Sequence, residues 1–487
     1  MRVRRRPLFT TAWLWLALGL CAPLLAWAEG LPASVLRQLR QHEIPTTAVA
    51  VWVAPLDDAA QPRWQHRADA PHNPASVIKL LTTAAALEIL GPQHQWQTEL
   101  LREGPLAQGV LQGPLYVRGG GDPKLVLERL QAMMAQLRAA GVQRIAGDIV
   151  LDRSVFADEG PSPPFDDEPL RPYNVGADGL LMNFRSLILR FEPDPATGQA
   201  RVLSEPPLQG LQVPATVPLR GGPCQDWRAA LQADFRQPLA PQFAGAYPLA
   251  CGVQQWPVAF ALVDEYAPRV FEALWREAGG QLDGRVRWGR TPAGAQSLLR
   301  MPSLPLAEIV ADVNKFSNNP MAQQVFLSLS AKPGEPARSE ASRQRLLAWW
   351  QQRLPQASAP TLDNGSGLSR SQRISARSLA ALLQTMHQST QAQVFRDSLA
   401  VAGVDGTMQR LRDRLPGSPL IGRAWLKTGS LRDVASIAGY VRGSSGRHYV
   451  LVALIEHEAA NRARPALDAL LEATAQDEAP ARRTARQ

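Results

Sequence analysis

The sequence predicts an α+β fold: an antiparallel sheet flanked by helices, interrupted by a large inserted region of mainly β or α/β character. Three observations carry this reading. A Val- and Ala-rich alternating run over 47–53 precedes an unbroken helical pattern over 76–90. Toward the C-terminal end, 423–428, 435–442 and 448–456 read as a strand meander closed by a helix over 464–473. Between these parts, residues 95–255 are dense in Gly, Pro and short strand-like runs. The expected organisation is a leader over 1–28, a main domain assembled from 29–94 and 256–474, the insertion over 95–255, and a disordered tail over 475–487.

The leader is read from Arg2, Arg4, Arg5 and Arg6, an apolar run from Leu8 to Leu25, and the small residues of Ala26-Trp27-Ala28. This is the pattern of a Sec-type signal peptide cleaved after Ala28, so the chain is expected to be exported to the periplasm. The rival readings are a retained anchor and a lipoprotein signal at Cys21. The apolar run is short for a span, and Leu20 is large for a lipoprotein site. Cleavage takes four arginines and no acid from a chain whose formal charge is +9. The remaining surplus is mild and unclustered, which argues against nucleic acid as a partner and allows at most peripheral membrane contact. Cys224 and Cys251 remain, an even pair that in an exported protein most simply forms one disulfide.

Taken in order, the strand over 47–53 breaks at Pro55-Leu56-Asp57-Asp58, and Asn73-Pro74-Ala75 leads into the helix. Ser76 opens that helix, where its backbone N–H is unpaired and the helix dipole favours developing negative charge. Lys79 lies one turn on, on the same face. The plain alternative is a capping serine and a solvated lysine. Yet Val77-Ile78 and Leu80-Leu81 flank Lys79, leaving little polar surface on that helix.

Within the insertion, 115–118 reads as a strand, 126–140 as a helix and 145–152 as a strand. Gly119-Gly120-Gly121-Asp122-Pro123 is a tight turn and not a phosphate loop, because Lys124 stands where a third glycine belongs and no Gly-Lys-Ser/Thr follows. Helices are predicted over 267–278 and 306–315. Ser317-Asn318-Asn319-Pro320 then connects to a helix over 321–330, displaying Ser317 and Asn319. Further helices over 339–353 and 376–387 bracket the turn-rich Asp363 to Arg370. Lys427-Thr428-Gly429 falls at a strand end, where glycine admits close approach of another backbone.

Only five of the 52 basic residues are lysines: Lys79, Lys124, Lys315, Lys332 and Lys427. Arginine stays protonated, whereas a buried or charge-crowded lysine can become a base. Ser76-x-x-Lys79, Ser317-x-Asn319 and Lys427-Thr428-Gly429 therefore stand out together, in the order known from penicillin-binding proteins and serine β-lactamases. The long interval between Ser76 and Ser317 resembles that of the class C low-molecular-mass penicillin-binding proteins. So do Gly120-Gly121-Asp122-Pro123, Asp152 to Phe156 and Asn364 to Arg370. The resemblance runs from about Leu31 to Ala473.

That resemblance implies a serine β-lactamase/transpeptidase-like domain and a D-alanyl-D-alanine carboxypeptidase that also acts as an endopeptidase on peptidoglycan peptides. It requires no cofactor and no metal, and β-lactams would be covalent inhibitors. Ser76 would attack, neutral Lys79 would take its proton, Ser317 would relay it to the leaving amine, and Asn319 would hold Lys79 and the substrate amide. Lys427 would tune Lys79 and draw in the substrate carboxylate beside the hydroxyls of Thr428 or Ser430. The N–H groups of Ser76 and Ser430 would form the oxyanion hole, and Arg370 would touch substrate. Where relatives often carry an aspartate that receives a diaminopimelate side chain, this sequence has Val175. Competing readings are a serine β-lactamase, which fits the insertion poorly and offers only Glu168 as deacylating glutamate, and a silent cell-wall-binding protein. No Gly-x-Ser-x-Gly or His-Glu-x-x-His supports other hydrolases.

Overall fold

The computed structural model describes residues 30–58, 61–160 and 163–477; the expected leader and residues 478–487 of the expected tail lie outside these. The main domain is built on a six-stranded antiparallel sheet. Its order is Trp64–His66, Val49–Pro55, His448–Glu456, Val434–Arg442, Ala424–Leu431 and Ala400–Val401. Alternate residues serve two cores, as the two-residue period of a strand dictates. Val49, Val51 and Val53 pack with Val35 and Leu39 of the helix Ala33–Gln41 and with Leu467 and Leu471 of the helix Arg464–Ala475. Ala50, Trp52 and Ala54 face Leu80, Leu81 and Ala84 of the helix Lys79–Ile89 and Leu379 and Leu383 of the helix Ala376–His387.

The antiparallel ladder between Gln97–Arg102 and Gln296–Pro302 marks where the chain leaves and rejoins the main domain. The insertion therefore extends to about residue 302, beyond the expected limit of 255. The helix Val263–Glu277 was expected in the main domain, but its buried Tyr266, Val270, Phe271, Leu274 and Trp275 join Leu130, Met133 and Leu137 in the second core. Two five-stranded sheets frame that core, both of mixed parallel and antiparallel pairing, with the helix Leu127–Ala139 alongside. The region is thus α/β. Cys224 and Cys251 are disulfide-bonded within it.

Three sequence expectations are corrected by packing. The predicted strand over 145–152 is split into Arg144–Ile145 and Ile149–Asp152 by Ala146-Gly147-Asp148. The strand bearing Lys427 continues to Leu431 because Gly429 and Ser430 pair with Ser436 and Ala435. At the start of the expected tail, Ala475 is helical and the Asp477 carboxylate accepts from Ser445 N at 2.9 Å and Tyr449 Oη at 3.0 Å.

Candidate active site

Ser76 sits in a single 3₁₀ turn, Ala75–Ile78, that feeds directly into the helix Lys79–Ile89. The turn is held by side chains rather than by sequence propensity. Asn73 Oδ1 accepts from Ala75 N at 2.9 Å, and Asn73 Nδ2 donates to the Ser369 carbonyl at 2.9 Å. Ala75 has φ 46°, a left-handed conformation that a non-glycine residue keeps only under such constraint. Two glycines let neighbouring segments close on it. A Cβ on Gly367 would lie 2.1 Å from the Ala75 carbonyl oxygen, and one on Gly429 would lie 2.9 Å from Ser76 N. The strand that carries Lys427 thus runs beside the Ser76 amide.

Lys79 has no exposed surface. Burying an amine is costly, and the apolar helix offsets it: Leu80, Leu81 and Leu87 are also fully buried, each contributing about 2 kcal/mol. Lys79 Nζ meets Ser76 Oγ at 2.9 Å, Asn319 Oδ1 at 2.7 Å and the Ser366 carbonyl. The orientation of the Asn319 amide follows from its other end, where Nδ2 donates to the Tyr173 carbonyl at 3.2 Å. Asn319 Oδ1 and Ser366 O can only accept, so an amine that gives each of them one N–H bond, once uncharged, would turn its lone pair to the Ser76 hydroxyl. Burial, and then the charge of Lys427, hold Lys79 well below the ordinary lysine range.

Ser317 caps the helix Leu306–Phe316 in the left-handed conformation, φ 59°, which swings its hydroxyl out of the helix line. Lys427 Nζ donates to Ser317 Oγ at 2.8 Å and to the Thr428 carbonyl at 2.7 Å, and burial takes Lys427 down to about 7. Asn319 was expected to be displayed on the connection. Instead it is buried as the first residue of the helix Asn319–Ser328, because its amide bridges Lys79 and Tyr173.

Lys315 has a definite place. Its ammonium pairs with Asp405 at 2.5 Å and donates to the Leu399 carbonyl at 3.1 Å. Asp405 heads the turn Gly406–Met408, where Thr407 Oγ1 accepts from Thr428 Oγ1 at 2.9 Å. Lys124 bridges the insertion to Asp312 of the main domain at 2.5 Å. Lys332 pairs with Glu335 in the open.

Arg370 does not join the Ser76 network. It stands at the rim, paired with Asp433 and with Asp166 at 2.7 Å, its guanidinium 4.7 Å from the Phe165 ring. It ties the insertion to the turn after the Lys427 strand. Glu168 is occupied by Arg171 and the Tyr173 hydroxyl, away from Ser76. Val175 is buried with Leu181 and Ala259, so that position holds the chain together and offers no polar contact. Among the described residues, no carboxylate hydrogen-bonds Ser76 or Lys79.

The sequence did not single out Asn73, Tyr173, Ser366, Thr407 or Asp405 as functional. Their backbone groups or short side chains act across large sequence separations, and no motif spacing marks them. Ser366 alone carries a sequence signal, the glycines on either side of it in a turn-rich stretch.

Ser76 bonded to a buried Lys79, with Asn319 on the same amine and a Ser317–Lys427 pair beside it on an antiparallel sheet, defines a serine hydrolase of the penicillin-recognising class. The chain belongs to the D-Ala-D-Ala carboxypeptidase 3 (S13) family, which matches residues 31–474. It is a serine peptidase. The D-alanyl-D-alanine carboxypeptidase of Actinomadura sp. (strain R39) is 32% identical over 405 residues, covering 77% of this chain and 71% of that protein. D-alanyl-D-alanine carboxypeptidase DacB of Haemophilus influenzae is 27% identical over 404 residues, covering 78% and 80%. The crystal structure of penicillin binding protein 4 (dacB) from Haemophilus influenzae shares the fold, with TM-score 0.72 at 22% identity over 90% of this chain and 99% of that one.

Proposed function

We propose that the chain cleaves the D-alanyl-D-alanine bond of peptidoglycan stem peptides, and the equivalent cross-link, through an acyl-enzyme on Ser76. The observation that carries this is the bonding of Lys79, whose two acceptor-only partners leave its lone pair for the Ser76 proton. Ser76 Oγ attacks the carbonyl as Lys79 takes the proton. The N–H groups of Ser76 and Ser430 receive the oxyanion, an element worth about 3 kcal/mol per donor. Ser317, held by Lys427, passes the proton to the departing amine, and water then releases the acyl group. Lys427 and the Thr428 and Ser430 hydroxyls receive the substrate carboxylate.

A β-lactam presents a strained amide beside a carboxylate and acylates the same serine. A complex of the Haemophilus influenzae protein with a β-lactam is known on this fold, which supports that expectation. Export to the periplasm, read from residues 1–28 and consistent with the disulfide, is part of the proposal.

The test incubates the protein with a fluorescent penicillin and, separately, with a disaccharide-pentapeptide and a cross-linked muropeptide, beside Ser76→Ala. Stable labelling, D-alanine release and cross-link cleavage, all abolished in Ser76→Ala, are the expected results. Rapid penicillin turnover without peptide cleavage identifies a β-lactamase instead. Muropeptide affinity with no turnover in either protein identifies a silent binder.

A further inference from the structure

At one end of the six-stranded sheet, three basic residues stand side by side on three neighbouring strands. Arg442 lies opposite His448 in the ladder, and on its other side Arg442 N donates to the Arg423 carbonyl at 2.9 Å. Strand alternation puts all three on the face that carries Trp425 and Tyr440, the next pair along. Two helices add to that face. Arg396 of the helix Ala392–Asp397 lies 5.5 Å from the centre of the Trp425 ring, and His387, the last residue of Ala376–His387, lies 6.0 Å from that of Tyr440. The His448 ring stacks on Trp425 at 6.5 Å. Arg442 and His387 are exposed, whereas Arg396, Arg423 and His448 are half-buried.

Like charges directly opposite one another on adjacent strands repel, and here little offsets them. Among the described residues, the ion pairing of these arginines is limited to Arg396 Nε with Asp397 at 3.4 Å, and Asp397 also accepts from Gln393 Nε2. Asp57, just beyond the strand Val49–Pro55 that pairs with His448–Glu456, is held by Arg447 at 3.3 Å. Arg423 gives an N–H to the Gly443 carbonyl at 2.6 Å, and Arg396 gives one to Gln393 Oε1 at 2.9 Å. The corner therefore holds three permanent cations against one carboxylate, with two imidazoles beside them. Burial, then Arg442, His387 and Arg396, keep the His448 ring below the ordinary histidine range. Several guanidinium groups around one spot match the multiple oxygens of a tetrahedral dianion better than the two of a carboxylate.

We propose that this corner binds a phosphate-type oxyanion, held by Arg396 and Arg442 with His387 and His448 beside it. The anion offsets the facing charges of Arg423, Arg442 and His448. The site stands on the strand of Lys427 but uses no residue of the Ser76 network, so the inference is independent of the catalytic reading.

The test uses the full chain at pH 7 and constant ionic strength, with chloride replaced stepwise by inorganic phosphate. Calorimetry should give one saturable phosphate per chain, bound about tenfold more weakly in Arg442→Gln and in Arg396→Gln, as loss of a charge-assisted hydrogen bond implies. In the unsubstituted chain, the NMR titration midpoint of the His448 ring should rise when phosphate saturates the site, because a neighbouring anion favours the protonated ring. That readout needs no variant. Flotation with vesicles of equimolar phosphatidylglycerol and phosphatidylcholine distinguishes the sources of the phosphoryl group. Flotation lost in Arg442→Gln assigns the site to a lipid headgroup, whereas phosphate binding without flotation assigns it to a soluble phosphate; both outcomes support the site. Absence of saturable phosphate binding, unchanged affinity in the two variants, or a His448 midpoint that phosphate moves no further than chloride overturns it.

Discussion

Asn319 Oδ1 holds Lys79 Nζ at 2.7 Å, and the same amide is anchored through Nδ2 to the Tyr173 carbonyl at 3.2 Å. A residue of the insertion thus fixes, through one side chain, the position of the Asn319 oxygen that meets Lys79.

Exchange of Lys79 for arginine keeps a basic side chain and removes the base. Arginine cannot deprotonate in this setting, and general-base catalysis is typically worth about 10²–10⁴-fold. Acylation by penicillin, followed by stopped-flow, should fall by about 10³-fold or more in Lys79→Arg. Retention of near-normal rates would remove Lys79 from the role.

The pH profile should separate the two lysines. On the proposed mechanism Lys79 acts uncharged, so activity falls as acid protonates it. Lys427 clamps a carboxylate only when charged, and with burial setting it at about 7, kcat/KM for a carboxylate-terminated peptide should fall above about pH 7. A terminal-amide analogue offers no carboxylate and should lack that alkaline limb. Superimposable profiles for the two substrates would contradict the clamp.

The same burial makes a stability prediction. The folded chain loses the Lys427 proton at about 7, whereas the unfolded chain keeps it to about 10.4. Between these values the unfolded state binds the extra proton, so this group makes stability rise with pH across the window, by about 1.4 kcal/mol per unit at most. Below about 7 both states are protonated and the slope vanishes. Denaturation of wild type and Lys427→Met over pH 6–10 should show the variant's slope smaller by one proton; parallel curves would refute the depressed value.

Gly367 has φ +85°, and a Cβ there would meet the Ala75 carbonyl at 2.1 Å. The two nearest atoms, the Ala75 carbonyl oxygen and carbon, are backbone and cannot turn aside. Gly367→Ala should cost about 1–3 kcal/mol from the backbone strain alone and slow acylation by shifting Ala75 and with it Ser76. Denaturant unfolding and a chromogenic β-lactam measure the two effects, and a variant unchanged in both would refute the close approach.

Lys315 is a positioning residue. Through Asp405 and Thr407 it supports Thr428 without touching Ser76 or Lys79. Lys315→Met should lower kcat/KM for carboxylate-terminated peptides by about tenfold, as loss of one charge-assisted hydrogen bond implies, mainly through KM. The terminal-amide analogue should be affected much less. An equal loss for both substrates would instead mark general destabilisation.

The sequence by itself determined the reaction class and the central elements. Ser76, Lys79, Ser317, Asn319 and Lys427 could be picked out because catalysis demands particular side chains at short, fixed spacings, and because lysine is scarce enough here to be noticed. The meander over Val434–Arg442 and His448–Glu456 was legible through alternation, since a sheet covered on both faces still obeys a period of two. Only the tertiary structure decided where the insertion ends, because an amphipathic helix such as Val263–Glu277 declares that it has a buried face without saying against which core. The same limit hid Ser366, Tyr173 and Thr407, whose contributions are a carbonyl or a single hydroxyl delivered from far along the chain. It also decided that Arg370 closes the rim through Asp166 and Asp433, and that Lys79 meets Ser76, Asn319 and Ser366 at one point. Residue type sets what a group can do; only its neighbours in space fix its protonation and its direction.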